Sequence, residues 1–352
     1  MTSKVVTVQD VAIVAGVSTA TVSRALSKPE KVNTATREKV MAAVRVTGYR
    51  INQTARNLRK KEAGAVVALV PNLGNPFFSS ILSGIESVLA KEGLSLLVVD
   101  ILQTSFRREQ AYDYLSMNQA DGLLVLDGTL DLTNLNDGSV SSELPPVVYC
   151  CEWGTDPRFG SVRVDNHQGS QLAVSHLYTL GHEAIGLVRG PAENRLTAAR
   201  QEGFESAISE YALPLREEWL IDGDFSLDAG VQAAHRWCAL DERPTAMFCM
   251  SDEIAFGFIS ELDRLGFSVP TDVSVIGFDD IAIAERFIPS LTTIRQPRFR
   301  IGQEAAGKLL RRIAGEVENR AESEDAARRT VLPVELIERR STAPVSEKQR
   351  AL

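Results

Sequence analysis

Aromatic side chains are scarce, at 6% of 352 residues, so a binding surface built from rings must draw on few positions. The histidines, His167, His176, His182 and His235, are scattered, and no spacing among them suits a metal ion. Cys150, Cys151, Cys238 and Cys249 form no C-x-x-C pair and lie in or beside apolar segments, the setting of buried free thiols in a reducing compartment. No uncharged apolar run approaches the roughly 18–20 residues of a membrane-spanning helix. Met1 to Ala25 lacks the apolar stretch and small-residue cleavage site of a secretion signal. Neither G-x-S-x-G nor G-x-x-x-x-G-K-[ST] occurs, so Asp165, His167 and Ser251 have no nucleophile elbow around them and no phosphate loop is present. No cofactor is expected.

What the chain does have is a lopsided charge. Residues 1–61 hold 12 lysines and arginines against 3 acids, a charge of +9, whereas the remainder holds 26 against 43, a charge of −17. An acidic protein with a basic head is built to bring only that head to a polyanion. The length exceeds what one core accommodates and implies two or three domains.

The head is patterned as a folded unit. Thr7-Val8-Gln9-Asp10 reads as a capping box, with the Thr7 hydroxyl and Asp10 carboxylate available to the first free amides. Val11, Ala12 and Ala15 share a helical face, and Gly16 permits the left-handed turn that follows. Ser18 can cap a second helix, Thr19 to Leu26, with Val22 and Leu26 at i, i+4; Pro29 stops it. Thr34 is expected to cap a third helix running to about Val46, with Val40, Ala43 and Val44 inward and Gly48 beyond its end. Two short helices joined by a glycine turn and backed by a third make an all-α helix-turn-helix DNA-binding domain.

The runs Thr7-Val8-Gln9-Asp10-Val11-Ala12, Ala15-Gly16-Val17-Ser18 and Thr21-Val22-Ser23-Arg24-Ala25-Leu26, continued by Val32, Thr36-Arg37-Glu38-Lys39-Val40, Gly48-Tyr49 and Asn52, resemble the signature of the lactose-repressor (LacI) family. That resemblance implies a second helix in the major groove, with Thr19, Ala20 and Arg24 facing base edges and Ser18, Thr21, Ser23 and Thr36 donating to phosphates. Arg24 carries the planar fork that suits guanine O6 and N7, whereas Thr19 and Ala20 are short enough for thymine methyl contacts. A phosphate contact is the plainer role for Arg24.

Asn52-Gln53-Thr54-Ala55-Arg56-Asn57-Leu58-Arg59-Lys60-Lys61 is polar, short and without a continuous apolar face, so an isolated helix here is marginal. It resembles the hinge helix of the family, which orders when two copies pair on DNA. By that resemblance Leu58 is the apolar wedge for a minor-groove step and Ala55 lets the backbone approach the groove, with Arg56, Arg59, Lys60 and Lys61 along phosphates. Without DNA the same residues make a flexible linker.

From Ala65 onward short apolar runs alternate with amphipathic segments. Strands are expected at residues 66–70, 94–99, 122–126 and 146–150, with helices at 78–92 and 107–118 between them. The alternation restarts with a strand at 162–164 and runs through helices at 167–180, 196–211, 227–239 and 252–265, with strands at 184–188, 219–221, 245–249 and 273–277. Val331 to Ile337 reads as a closing strand. Such alternation implies two α/β lobes with parallel sheets and ligand space at the carboxyl ends of the strands. Boundaries are expected at 1–50 for the head, 51–62 for the hinge, 63–343 for the effector-binding and dimerisation body, and 344–352 for a flexible tail.

The resemblance runs on through Pro71-Asn72, Asn75-Pro76-Phe77-Phe78, Val164-Asp165-Asn166, Gly181-His182, Asp272-Val273-Ser274-Val275-Ile276-Gly277-Phe278-Asp279-Asp280 and Leu291-Thr292-Thr293-Ile294. It implies a periplasmic-binding-protein-like body. Within the family, Gly223-Asp224-Phe225 and Pro244 to Cys249 are most similar to the cytidine/purine repressor branch. Carried over, Arg200 reaches the effector, Asp279 opposes it and Asp165 adds a polar contact from the other lobe. Phe77 and Phe225 offer ring surfaces, while Asn194 and Ser251 tune specificity. The purine repressor has arginine at the position of Asn194, which speaks against a free purine. Phe78 is expected in the core, Phe225 suits core or cleft, and Asp280 suits a turn cap.

The function implied is a cytoplasmic, homodimeric transcription repressor without enzymatic activity. It binds double-stranded operator DNA and answers to a small effector, a nucleoside or a sugar. The segment after Ser341 lacks the apolar heptads of a tetramer-forming coiled coil, so a dimer is expected. A sugar-binding transport receptor, or an enzyme acting on a nucleoside or sugar, would use the same two-lobed body. The first would need an export signal and no basic helical head; the second would turn its ligand over.

Overall fold

The computed structural model describes residues 6–49, 62–101, 108–117, 119–130, 132, 146–156, 159–315 and 329–347. The chain divides into two compact units, Met1–Glu62 and Ala63–Leu352. The expected hinge residues Asn52, Ala55, Arg56, Leu58, Arg59, Lys60 and Lys61 lie outside the described residues.

In the first unit, helices α1 (Val8–Ala15), α2 (Thr19–Ser27) and α3 (Thr34–Thr47) enclose a small core in which Val11, Val22 and Val40 are fully buried. Gly16 takes φ +65° between α1 and α2, the left-handed backbone that glycine adopts without steric cost. The capping box expected at α1 is present: the Thr7 side chain faces the Asp10 amide, and the Asp10 carboxylate accepts from the Thr7 amide at 2.8 Å and from the Thr7 hydroxyl at 2.7 Å. One cap differs in detail from expectation. Asn33, not Thr34, caps α3, its Oδ1 accepting from the Thr36 amide at 2.8 Å. An amide oxygen one residue upstream reaches the same orphan donor.

The second unit holds two six-stranded sheets. The first, in the order β11-β5-β4-β3-β1-β2, uses β1 (Ala65–Val70), β2 (Ser95–Asp100), β3 (Gly122–Val125), β4 (Val147–Cys150), β5 (Gly160–Val164) and β11 (Arg329–Leu332). The second, β12-β10-β9-β8-β6-β7, uses β6 (Ile185–Val188), β7 (Leu220–Ile221), β8 (Ala246–Cys249), β9 (Ser274–Asp279), β10 (Thr292–Arg295) and β12 (Glu335–Ile337). Every pairing is parallel except β10 with β12. Strands such as Ala65-Val66-Val67-Ala68-Leu69-Val70, buried at every position, suit a sheet covered on both faces.

Helices α4 (Phe77–Leu89) and α5 (Arg108–Ser116) join the strands of the first lobe. Helices α6 (Asn166–Thr179), α7 (Arg195–Glu210), α8 (Leu227–Cys238) and α9 (Asp252–Arg264) serve the second. A long helix, α10 (Arg298–Ile313), returns from β10 to pack on α4 and on β3, β4 and β5.

Three features depart from the sequence-based expectation. The strand at 160–164 completes the first sheet rather than opening the second. The expected closing strand at 331–337 is two strands, β11 in one lobe and β12 in the other. The elements β10 and α10 lie outside the expected set altogether. Cys150, Cys151 and Cys249 are free and buried as expected, and burial pushes their thiols up; Cys238 is only partly covered. Among the described residues no helix is long and apolar enough to cross a membrane, and no cluster suits a metal ion.

Candidate functional site

In α2, Val22 and Ala25 turn inward, which leaves Thr19, Ala20, Ser23 and Arg24 exposed on the opposite face. Ser18 caps the helix, its Oγ accepting from the Thr21 amide at 3.2 Å and lying 2.9 Å from the Thr21 hydroxyl. The helix start is therefore fixed while the Arg24 guanidinium stays in solvent. Thr36 is half-buried at the start of α3, its amide held by Asn33. Short side chains and one long planar cation on a single rigid face form an arrangement that enters a groove and offers donors to phosphates and base edges.

In the body, the cleft residues sit where the strands end. Glu152 follows β4, Asp127 and Gly128 follow β3, and Asp165 follows β5. Gly190 follows β6, Phe225 follows β7, Ser251 follows β8, and Asp279 closes β9. Parallel α/β sheets collect ligand-binding groups at this edge because loops and helix N-termini converge there.

Arg200, on α7, is the centre of the cluster. It is 2% exposed, with Nε donating to Asn166 Oδ1 at 2.9 Å, Nη1 donating to the Met250 carbonyl, and Nη2 lying 3.8 Å from Asp279 Oδ1. Its guanidinium stacks on Phe278, 3.7 Å from the ring centroid, and lies 5.7 Å from that of Phe225. Burial works against its charge, while Asp279 and Glu152 favour it. Asp279 adopts φ +124°, a strained backbone that aims its carboxyl at Gln296, whose Nε2 donates at 2.7 Å. Burial raises that carboxyl to about 6 despite Arg200 and Arg298 nearby.

The other expected effector residues divide by their local roles. Asn194 caps α7 through Oδ1 (2.7 Å to the Leu196 amide), which frees its Nδ2 to face the cleft. Ser251 caps α9 through Oγ (3.1 Å to the Ile254 amide) and lies 3.5 Å from the Phe225 carbonyl oxygen. Asp165 caps α6 (2.9 Å to the Gln168 amide). Phe77 is buried at the start of α4, edge-on to the equally buried Phe78. Phe225 is half-buried with φ +67°. Asp280 does more than cap a turn: it accepts from Arg295 Nε at 2.6 Å and Arg339 Nη2 at 2.7 Å.

Sequence reasoning passed over three residues that the fold brings in. Asn166 orients Arg200 and stood in plain view beside Asp165. Asp252, fully buried, accepts from the Ile281 amide at 2.8 Å and the Thr293 hydroxyl at 2.5 Å, and burial raises its carboxyl well above the usual range. Glu152 is 5% exposed, accepts from the Gly128 amide at 2.7 Å and lies 3.3 Å from Asn194 Nδ2. Burial and the charge of Asp127 raise it to about 7. Its signal was only a carboxylate directly after an apolar strand.

A helix-turn-helix head on a two-lobed α/β body with a polar cleft defines a ligand-responsive DNA-binding regulator. Residues 7–52 match the bacterial regulatory proteins of the lacI family, and residues 174–342 match the periplasmic binding protein-like domain. The HTH-type transcriptional repressor CytR of Escherichia coli (strain K12) is 38% identical over 312 residues, 88% of this chain and 90% of that protein. The lac repressor dimer bound to operator and the anti-inducer ONPF has a TM-score of 0.77 at 28% identity, covering 97% of this chain and all (100%) of that one. A LacI family regulator from Enterococcus faecium with bound ribose has a TM-score of 0.70 at 32% identity, covering 80% of this chain and 100% of its own.

The chain belongs to the lacI family of bacterial regulatory proteins. It is a DNA-binding transcription repressor under effector control, not an enzyme.

Proposed function

We propose that this repressor reads operator DNA in the cytoplasm with Thr19, Ala20 and Arg24 of α2 on base edges, while Thr7, Ser18, Thr21, Ser23 and Thr36 face phosphates. Residues 51–62 act as the hinge, with Asn52, Ala55, Leu58 and Arg59 meeting the minor groove when two copies pair. Exposed apolar residues on the edge strand β2, Leu97 and Val98, support pairing of the bodies.

The effector is a nucleoside or sugar held between the lobes by Arg200, Asp279, Asn194, Ser251 and Asp165, with Phe77 and Phe225 against its ring. One observation carries this reading. Arg200 is locked by Asn166 and the Met250 carbonyl at the meeting point of the strand ends, facing the Asp279 carboxyl. A preoriented donor fork opposite a buried acceptor recognises vicinal hydroxyls or a base amide. A change of lobe angle on binding alters the spacing of the two hinges and so operator affinity. The similarity to the transcriptional repressor CytR and to a regulator with bound ribose supports a nucleoside or sugar. The test is a thermal-shift screen of nucleosides, sugars and sugar acids, each hit then added to an operator gel-shift. A ligand that stabilises the protein and changes operator affinity supports the reading; stabilisation without any change in DNA binding overturns it.

A further inference from the structure

We infer that the Thr197 hydroxyl sets effector specificity in the interlobe cleft, and that the effector is an uncharged molecule rich in hydroxyl or amide groups rather than a phosphate or carboxylate. The inference rests on the reading of that cleft as the effector site.

Thr197 lies in the first turn of α7 and is 3% exposed, yet its Oγ1 has no hydrogen-bond partner. Buried hydroxyls ordinarily find one, often the carbonyl a turn back, because an unmade bond costs the desolvation of the group. Its neighbours place it in the cleft. Asn194, Thr197 and Arg200 follow one another at three-residue steps on one side of the helix. A methyl group on Gly190 would lie 2.6 Å from Thr197 Oγ1 and 2.2 Å from Phe225 Cζ, so the hydroxyl, the glycine Cα and the ring meet at one point. A molecule that stacks on Phe225, or pushes that ring aside, reaches this hydroxyl next.

The surrounding charges select against anions. Glu152, Asp279, Asp252 and Glu253 crowd the same strand ends. Two of the cations beside them are already engaged. Arg200 holds Asn166, Met250 and Asp279, and Arg298 donates to the carbonyls of Phe77 (3.4 Å) and Asp280 (2.8 Å). A phosphate or carboxylate seated against Thr197 would face this cluster of carboxyls. A hydroxyl or amide can donate to those carboxyls and pair with Thr197.

The test uses the full chain and isothermal titration with cytidine, adenosine, ribose and the 5′-phosphate of each. Expected is binding of at least one uncharged probe, with its phosphate weaker by at least about tenfold. For the probe that binds, Thr197→Val should lose about tenfold in affinity and Thr197→Ser less than about threefold, the loss of one hydrogen bond. Without ligand, Thr197→Val should melt at or about 1–3 °C above the parent, because no internal bond is removed. A lower melting temperature would reveal an internal partner and overturn the inference, as would unchanged affinity in Thr197→Val, equal binding of the phosphate, or binding of none of the six probes. Arg200→Lys, run in parallel, separates the two levels. If it abolishes binding while Thr197→Val does not, only the threonine assignment falls. If neither substitution changes binding of a probe, the cleft reading falls as well.

Discussion

Asn194 Nδ2 lies 3.3 Å from Glu152 Oε1 and so ties the second lobe to the first across the cleft. The acceptor side of this tie is a buried carboxyl whose pKa is raised to about 7, first by burial and then by Asp127. A carboxyl with a higher pKa folded than unfolded holds its proton longer in the native state. Its contribution is therefore most favourable below the ordinary glutamate range and is lost as pH rises through about 7. Glu152→Gln keeps an acceptor for the Gly128 amide but removes the titration. The variant should gain thermal stability over the parent between about pH 4.5 and 7 and hold a constant lead above that. A pH-independent difference in melting temperature would contradict this.

Arg200→Ala should abolish the effector response and leave operator affinity unchanged. The guanidinium is buried on Phe278 and opposite Asp279, far in sequence from the DNA-reading head. Removing it also leaves the Met250 carbonyl and Asn166 Oδ1 without their donor, so a loss of stability of about 3–5 kcal/mol accompanies the functional loss. Induction curves measured by operator gel-shift check this; an unaltered curve would remove the arginine from the effector site.

Arg24→Ala should cost about 1–3 kcal/mol of operator binding and relax preference at a single guanine position, the signature of a lost bidentate contact. Uniform weakening across all base substitutions would instead assign Arg24 to a phosphate. A binding assay on a systematically mutated operator separates the two.

Leu58→Ala should weaken operator binding while sparing effector affinity, because a minor-groove wedge acts only on DNA. Parent protein should lose affinity with salt at a log–log slope of about −0.9 per neutralised phosphate, as a head of charge +9 on a body of −17 implies. Gel-shift titration at several ionic strengths measures both, and a flat salt profile would argue against the basic head as the DNA-binding end.

Much of the architecture was legible in the chain. Fully apolar runs such as Ala65–Val70 and caps such as Ser18 declare themselves, since burial on both faces and orphan amides each demand particular residues. The strand β10 was hidden because it begins Thr292-Thr293, polar residues that are buried here. Their hydroxyls are absorbed by Thr342 at 3.0 Å and by Asp252 at 2.5 Å. The helix α10 was missed although Ile301, Ala305 and Leu309 recur every four residues, and the lobe it covers could not be read, because pairing of distant elements leaves no local mark. The site divided in the same way. Arg200 and Asp279 came with recognisable motifs, whereas Glu152 acquires its character from burial and from Asp127, Gly128 and Asn194, all distant in sequence.

The chain passes from one lobe to the other between β5 and α6, returns between β10 and α10, and crosses once more between β11 and β12. Neither lobe is thus a contiguous stretch of sequence. Nicking any single crossover would leave the halves tethered by the other two, and neither half could be expressed alone as one uninterrupted fragment. A chimera that borrows a relative's sensing half must exchange several segments together. Recombination by a single breakpoint inside the body would instead yield mismatched sheets, which confines productive shuffling to the junction between head and body.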